Sequence, residues 1–353
     1  MATNELRTIL ADTVSRLFTD RVTQELRESA EKGPWPAALW QAVEENGLTL
    51  PQIPEARGGG GGTWQDAHIV VTAAGRFAVP LPIAETMVAA WLLSEAGLDV
   101  PPGPLTVAPA HLTDRLRLAR AGRGWRLTGT ATRVPWGRAA EHVVVAADGD
   151  GPMIALVAKG SARVDADTNL ALEPRDTLAW NGAPVAAAAP AGARPPAHAP
   201  WLYGALVRSA QLAGGLESLL AQTVKYVGER KQFGRPLAAF QAIQHNLALL
   251  AGHTAAAGIA AANAFRAAEK ADPSFEIAAA KVRTGEAAGL GAGIAHQCHG
   301  AIGFTYEHSL HFVTRRLWSW RAEFGAESHW AAELGQDVAR RGADTLWSYV
   351  TSR

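Results

Sequence analysis

The feature that most constrains the fold is a change of hydrophobic period along the chain. Apolar residues recur every three or four positions, then every second position, then every three or four again. Leu6, Ile9, Leu10, Val14, Leu17 and Phe18 fall on one helix face. Ala37–Glu45 carries Leu39, Trp40 and Val43, with Gly47 placed to close the helix in a left-handed cap. Further helical runs begin at Asp66 and cover 85–93. Arg115-Leu116-Arg117-Leu118 and Trp125-Arg126-Leu127-Thr128 then alternate strictly, and 142–146 and 153–157 are short aliphatic runs bounded by Gly and Asp. From Trp201 a stripe through Leu202, Leu206, Ala210, Ala213, Leu216, Leu220, Val224 and Val227 restores the helical period. Further helices are predicted at 240–268, 275–296, 309–320 and 328–348. The expectation is an α+β protein in three parts. An N-terminal α-helical domain covers 1–103, a middle antiparallel β domain with a linker (183–200) covers 104–199, and an α-helical bundle covers 200–353.

Composition narrows the function. Lys+Arg 33 against Asp+Glu 33 leaves no net charge, so long-range attraction to nucleic acid or an anionic membrane is absent. Charged residues are 19% and hydrophobic residues 48%, which suits a large core or faces shared between subunits and excludes a disordered chain. The one cysteine, Cys298, excludes an internal disulfide framework and a Cys-cluster metal site, and points to a reducing, cytoplasmic setting. The first twenty residues carry charges throughout and lack the pattern of an export signal. The charge-free stretch 236–265 is Ala-rich, with His245, Asn246 and His253, and reads as a helix enclosed by other helices rather than a membrane span.

The usual phosphate and metal signatures are incomplete. Gly58–Gly62 is not followed by Gly-Lys-Ser/Thr and lies in no βαβ unit, so it reads as a flexible surface turn. His308 and His311 have no carboxylates spaced to complete a metal site. Two segments carry more. In 226–245 a helix ends at a Gly-containing turn with Arg230, Lys231 and Arg235, either a phosphate contact or cations complementing a helix end. In 297–308, Gly300 and Gly303 permit close backbone approach to a ligand, or simply connect two helices.

Together these segments resemble the acyl-CoA dehydrogenase family, and the resemblance runs over nearly the whole chain. Pro54-Glu55-Ala56-Arg57-Gly58-Gly59 is similar to a family loop, and Gly124 to Gly129 with Val134-Pro135 and 139–145 is similar to its middle β domain. Arg230-Lys231-Gln232-Phe233-Gly234 with Gln241 resembles the stretch that reaches a neighbouring subunit's FAD. Gln297 to Phe304 resembles the segment that binds the adenosine-diphosphate part of that FAD. Phe304-Thr305-Tyr306-Glu307-His308, His311 and Arg315-Arg316 are similar to a subgroup acting on sterol side chains or other bulky acyl-CoAs, several members of which are mixed tetramers. The resemblance implies a C-terminal four-helix bundle and FAD as cofactor. It implies FAD contacts at Arg230, Gln232, Phe233, Gln241, Gln297, Gly300, Ala301 and Gly303. The activity implied is α,β-desaturation of an acyl-CoA thioester, with an electron-transfer flavoprotein or similar acceptor as partner.

The resemblance breaks where proton abstraction should occur. The catalytic Glu of most members aligns with Phe324, and that of a second group with Arg208. Glu323 is the nearest substitute, although one residue along a helix turns a side chain by about 100°. Leu105-Thr106-Val107-Ala108-Pro109 stands in place of the loop that wraps flavin and substrate. These departures imply a homo- or hetero-tetramer in which a homologous, Glu-bearing chain supplies the base. The alternatives are a flavin-dependent monooxygenase or oxidase on the same fold, or a non-catalytic structural subunit.

Overall fold

The computed structural model describes residues 2–192 and 198–353. Helices α1 (Ala2–Arg21), α2 (Gln24–Glu31), α3 (Ala37–Glu45), α4 (Trp64–Arg76) and α5 (Ile83–Glu95) come first. Strands β1 (Leu105–Ala108), β2 (Arg115–Ala121), β3 (Gly124–Pro135), β4 (His142–Gly149), β5 (Gly151–Ala158), β6 (Arg163–Asp165), β7 (Arg175–Pro184) and β8 (Ala187–Pro190) follow. The rest is helical: α6 (Ala199–Glu229), a two-stranded hairpin of β9 (Lys231–Gln232) and β10 (Arg235–Pro236), then α7 (Gln241–Ala267), α8 (Ser274–His299), α9 (Leu310–Ala322), α10 (Glu327–Arg341) and α11 (Leu346–Thr351).

Local chemistry sets several boundaries. Thr63 and Asp66 form a capping box that starts α4, and Arg7 of α1 donates to the same Asp66 carboxylate at 2.9 Å, so one carboxylate caps a helix and docks its neighbour. The glycine run is not a flexible turn. The amides of Gly59 to Gly62 all donate to carbonyls of residues 50–54, and a Cβ on Gly59 would fall 2.1 Å from the Ile53 carbonyl oxygen. Only glycine lets the chain knot this tightly.

The middle region is one sheet in the order β6-β7-β3-β2-β4-β5-β8. It is mixed rather than purely antiparallel, because β1 pairs in parallel with β4 after the β2–β3 hairpin has reversed the chain twice. The expected linker is partly sheet: Ala183 and Pro184 end β7, and Ala187–Pro190 pairs with β5. Residues 193–197 of that linker lie outside the described residues. The single helix expected over 328–348 is broken at Gly342, whose φ of +87° ends α10.

One core joins the two helical parts. Val14, Phe18, Trp64, Met87 and Trp91 pack in the same cluster as Trp201, Tyr203, Phe265, Phe324 and Trp330, and a separate core of Leu116, Leu127, Val143, Leu178 and Trp180 fills the other side of the sheet. Among the described residues α7 alone is long and apolar enough to cross a bilayer. The expectation that other helices enclose it holds for one face only: Leu250, Ala257 and Ala261 are buried, whereas Leu249 is 57% and Ile259 72% exposed.

Candidate functional site

Two regions gather the residues singled out from the sequence, and they lie at different places on α6. The first is the end of the bundle where α6 and α8 finish and α7 begins. Arg230 caps α6, and its carbonyl accepts the Leu237 amide at 2.8 Å, closing the β9–β10 hairpin. Gln232 and Gln241 are exposed, and Phe233 sits at the hairpin tip with φ +53° and 90% exposure. The Tyr226 ring stacks on His299 at 4.4 Å and its hydroxyl donates to the His299 carbonyl, which ties the end of α6 to the end of α8. There Gln297 and Ala301 are exposed, Gly300 turns the chain at φ +64°, and Gly303 is buried where a Cβ would come within 2.9 Å of His299.

Arg230, Lys231 and Arg235 make no ion pair among the described residues, and Arg235 lies over the Phe240 ring at 4.1 Å. Phe304, 72% exposed, stacks on His296. Uncommitted guanidinium donors beside exposed aromatic rings and a glycine turn form a surface suited to the phosphates and purine of a dinucleotide. These residues therefore fit the adenosine-diphosphate half of FAD.

The second region is the turn after α9. Phe324 has φ +50°, is buried, and lays its ring on Gly204 of α6, where a Cβ would come within 2.3 Å of it. Glu323 caps α9 and points into a buried ladder of charges rather than into open space. Its carboxylate accepts from Arg175 Nε at 2.7 Å and Nη2 at 3.0 Å, from Arg208 Nε at 2.7 Å and from Asn169 Nδ2 at 3.0 Å. Arg208 also donates to Glu85 on α5 at 2.5 Å and to the side-chain Oε1 of Gln211. Arg175 reaches Glu173, which in turn accepts from Arg316 Nε and Trp320 Nε1, both at 3.0 Å.

Three carboxylates thus alternate with three guanidiniums, drawn from α5, α6, α9 and the sheet region. Burial alone would raise the Glu323 pKa, but Arg175 and Arg208 outweigh it and hold the carboxyl at about 2. In the opposite sense, burial opposes the charge of Arg208, yet Glu85 and Glu323 push its pKa up. A carboxylate held this low with every oxygen engaged is a poor proton acceptor, which corrects the reading of Glu323 as a substitute base. Lys281, fully buried on α8, donates to the Arg321 and Gly325 carbonyls at 2.7 and 2.6 Å and fixes the same turn from below.

A cleft of about 450 Å³ opens between this turn and the sheet, lined by His111, Leu112, Arg133, Trp201, Phe324 and His329, among others. Sequence reasoning missed Glu85, Glu173 and Arg175 altogether, and marked Arg316 only as part of a family resemblance, not as a partner of Glu173. The signal was present only as a charge inside an apolar helix, Glu85 in Ile83-Ala84-Glu85-Thr86-Met87 and Arg316 between Phe312 and Trp320, with no indication of which charges would meet.

Residues 4–99 match the family described as acyl-CoA dehydrogenase, N-terminal domain, and residues 202–328 that described as acyl-CoA dehydrogenase, C-terminal domain. The chain is 28% identical to acyl-CoA dehydrogenase IpdE2 of Mycobacterium tuberculosis, over 98% of this chain and 99% of that one. It is 31% identical to acyl-CoA dehydrogenase FadE27 of the same organism, over 77% and 80%. In shape it is similar to a variant of the Tcur3481–Tcur3483 steroid acyl-CoA dehydrogenase, at TM-score 0.87 and 27% identity, covering 96% of this chain and 99% of that one. The ChsE4–ChsE5 complex from Mycobacterium tuberculosis gives 0.86 and 27%, covering 94% and 97%.

Proposed function

Because the chain belongs to the acyl-CoA dehydrogenase family of FAD-dependent oxidoreductases, we propose that it is the base-lacking subunit of a mixed tetramer that desaturates a bulky, sterol-type acyl-CoA. When bound, FAD supplies the acceptor for the hydride that leaves the β carbon. Arg230, Gln232, Phe233 and Gln241, with Gln297, Gly300, Ala301 and Gly303, would hold the adenosine-diphosphate end: the Arg230 guanidinium would engage phosphate oxygens, and the glycines would let backbone approach. Arg208 and Arg230 are separated by twenty-two residues of α6, about 33 Å at 1.5 Å per residue. A separation on that scale supports a flavin shared between chains, with the two regions of one chain serving different cofactor molecules.

The observation that carries the mixed assembly is the fate of the base. A buried Phe324 ring and a doubly ion-paired Arg208 occupy the two places where the family resemblance puts a Glu, and Glu323 is engaged by two guanidiniums. Removal of the α proton then falls to a carboxylate on a homologous partner, in a dry site beside the thioester. The related Tcur3481–Tcur3483 and ChsE4–ChsE5 proteins bear paired names, which favours a two-chain reading. The buried Cys298 thiol suits the cytoplasm, and an electron-transfer flavoprotein or similar acceptor is the outlet for the electrons.

The test is expression of the chain alone and together with an adjacent, Glu-bearing homologue. The co-expressed pair should carry flavin that acyl-CoA bleaches, while the chain alone should bleach by less than a hundredth as much, the usual scale of losing a general base. Full bleaching by the chain alone would end the proposal.

A further inference from the structure

The cleft beside Phe324 contains a charged side chain that nothing among the described residues engages. Arg133 lies in a β-bulge of β3, where the pairing with β7 shifts register between Ala131 and Val134. The bulge is built rather than incidental. The Thr132 amide and hydroxyl both donate to the Asp114 carboxylate at 2.9 Å, pinning the loop before β2 against the strand, and Arg133 next to it adopts φ +54°. Bulges re-aim side chains, and a left-handed non-glycine residue is strained. Here the strain turns an exposed guanidinium onto the cleft wall.

Among the described residues Arg133 makes no hydrogen bond or ion pair. The carboxylate that shares the cleft, Glu323, is already taken by Arg175, Arg208 and Asn169. On the same wall His111 Nδ1 accepts from the Thr113 amide and lies 2.8 Å from its hydroxyl, so the imidazole carries its proton on Nε2. The cleft therefore offers a fork of charged donors and an N–H beside the apolar faces of Trp201, Phe324 and Leu112, with no free anion of its own. Such a lining matches a carboxylate attached to an apolar body, because the guanidinium fork donates two parallel bonds to a carboxylate.

We propose that this cleft binds an apolar carboxylic acid through Arg133, with His111 as the second donor, and that it does so without turning the ligand over. The second half follows because Glu323, the carboxylate on the cleft wall, is taken by Arg175, Arg208 and Asn169 and is not free to accept a ligand's proton. The assignment is independent of whether the assembly desaturates acyl-CoA, since it concerns equilibrium binding to this chain's own cleft.

The test uses cholate, a flat apolar body carrying one carboxylate, and its uncharged amide, titrated into the full chain with its native partner and followed by calorimetry. Cholate should bind at least about tenfold more tightly than the amide, the scale of a charge-assisted pair. Arg133→Gly should bring cholate down to the level of the amide and leave the amide unchanged. Because glycine relaxes the left-handed backbone, that variant should fold with an undiminished Tm, so lost binding cannot be lost structure. Equal affinity for acid and amide, undiminished cholate binding by Arg133→Gly, or displacement of cholate by added FAD would each overturn the proposal.

Discussion

At the scale of single residues, Glu323 and Phe324 are neighbours with opposite tasks: one completes a charge ladder, the other closes the space above Gly204. The ladder has a definite pH signature. The folded pKa of Glu323, about 2, lies below the ordinary 4.5, so the unfolded chain binds the proton first as pH falls. Its contribution is fully present above pH 4.5, and is lost as pH drops through about 2. Glu323→Gln should flatten that acid limb in denaturant titrations between those limits. It should also cost on the order of 3–5 kcal/mol at neutral pH, because Arg175 and Arg208 are left buried with one carboxylate too few. In the co-expressed assembly the same substitution should leave acyl-CoA bleaching per folded flavin within about twofold, whereas loss of a true base would remove two or more orders of magnitude. None of this ladder was legible in the sequence. Phe324 and Arg208 could be recognised as missing carboxylates one at a time, but Glu85 and Arg208 stand 123 residues apart, and only the folded chain pairs them.

At the scale of elements, the glycines of the long helices separate into two kinds. A Cβ on Gly214 of α6 would sit 1.9 Å from the Thr72 carbonyl oxygen of α4, a backbone atom that cannot move aside. Gly214→Ala should therefore push the two helices apart and lower stability by about 1–3 kcal/mol in denaturant unfolding. Gly252 on α7 has no neighbour within 4 Å, so Gly252→Ala should raise the intrinsic stability of the helix by about 0.5–1 kcal/mol. Lys281 adds a second pH dependence. Burial lowers its pKa from 10.5 to about 7, against the pull of Glu323 and with help from Arg208 and Arg321. Between those values the unfolded chain holds a proton that the folded chain does not, so stability should rise with pH across that window, and Lys281→Met should abolish the slope. Local signals fared well at this scale: Ala37–Glu45 forms the helix its own apolar spacing and following Gly47 specify. Non-local features did not. The parallel β1–β4 pair depends on where a hairpin between them lands. The break at Gly342 had only the glycine as its local signal; where the chain goes next is non-local, with the Tyr349 ring edge-on to Phe275 and Arg353 paired with Glu276.

At the scale of the whole molecule, the face left uncovered is the outer face of the bundle. Leu249 and Ile259 of α7 and Leu290 of α8 are more than half exposed, and Gly252, Gly258 and Gly293 leave the surface around them open to close approach. A largely apolar, small-residue face, crossed by the Arg283–Glu286 pair of α8, has little to keep it in water, and patches of this kind mark contact surfaces. The end proposed to hold the dinucleotide belongs to the same bundle, since Gln241 opens α7 and Gln297 lies in the last turn of α8. In the proposed assembly, covering the face and completing the cofactor site are one event, and disrupting the first should empty the second. Ile259→Glu should weaken assembly by at least about 2 kcal/mol, the scale of a central contact residue, giving a smaller species in light scattering. It should lose flavin on dilution at concentrations where the unaltered protein retains it. Leu6→Glu on α1, a residue equally exposed at 66% but on the opposite part of the chain, should change neither mass nor flavin content. If Ile259→Glu kept both its mass and its flavin, the face would be an exposed surface in solution and the cofactor would belong to one chain.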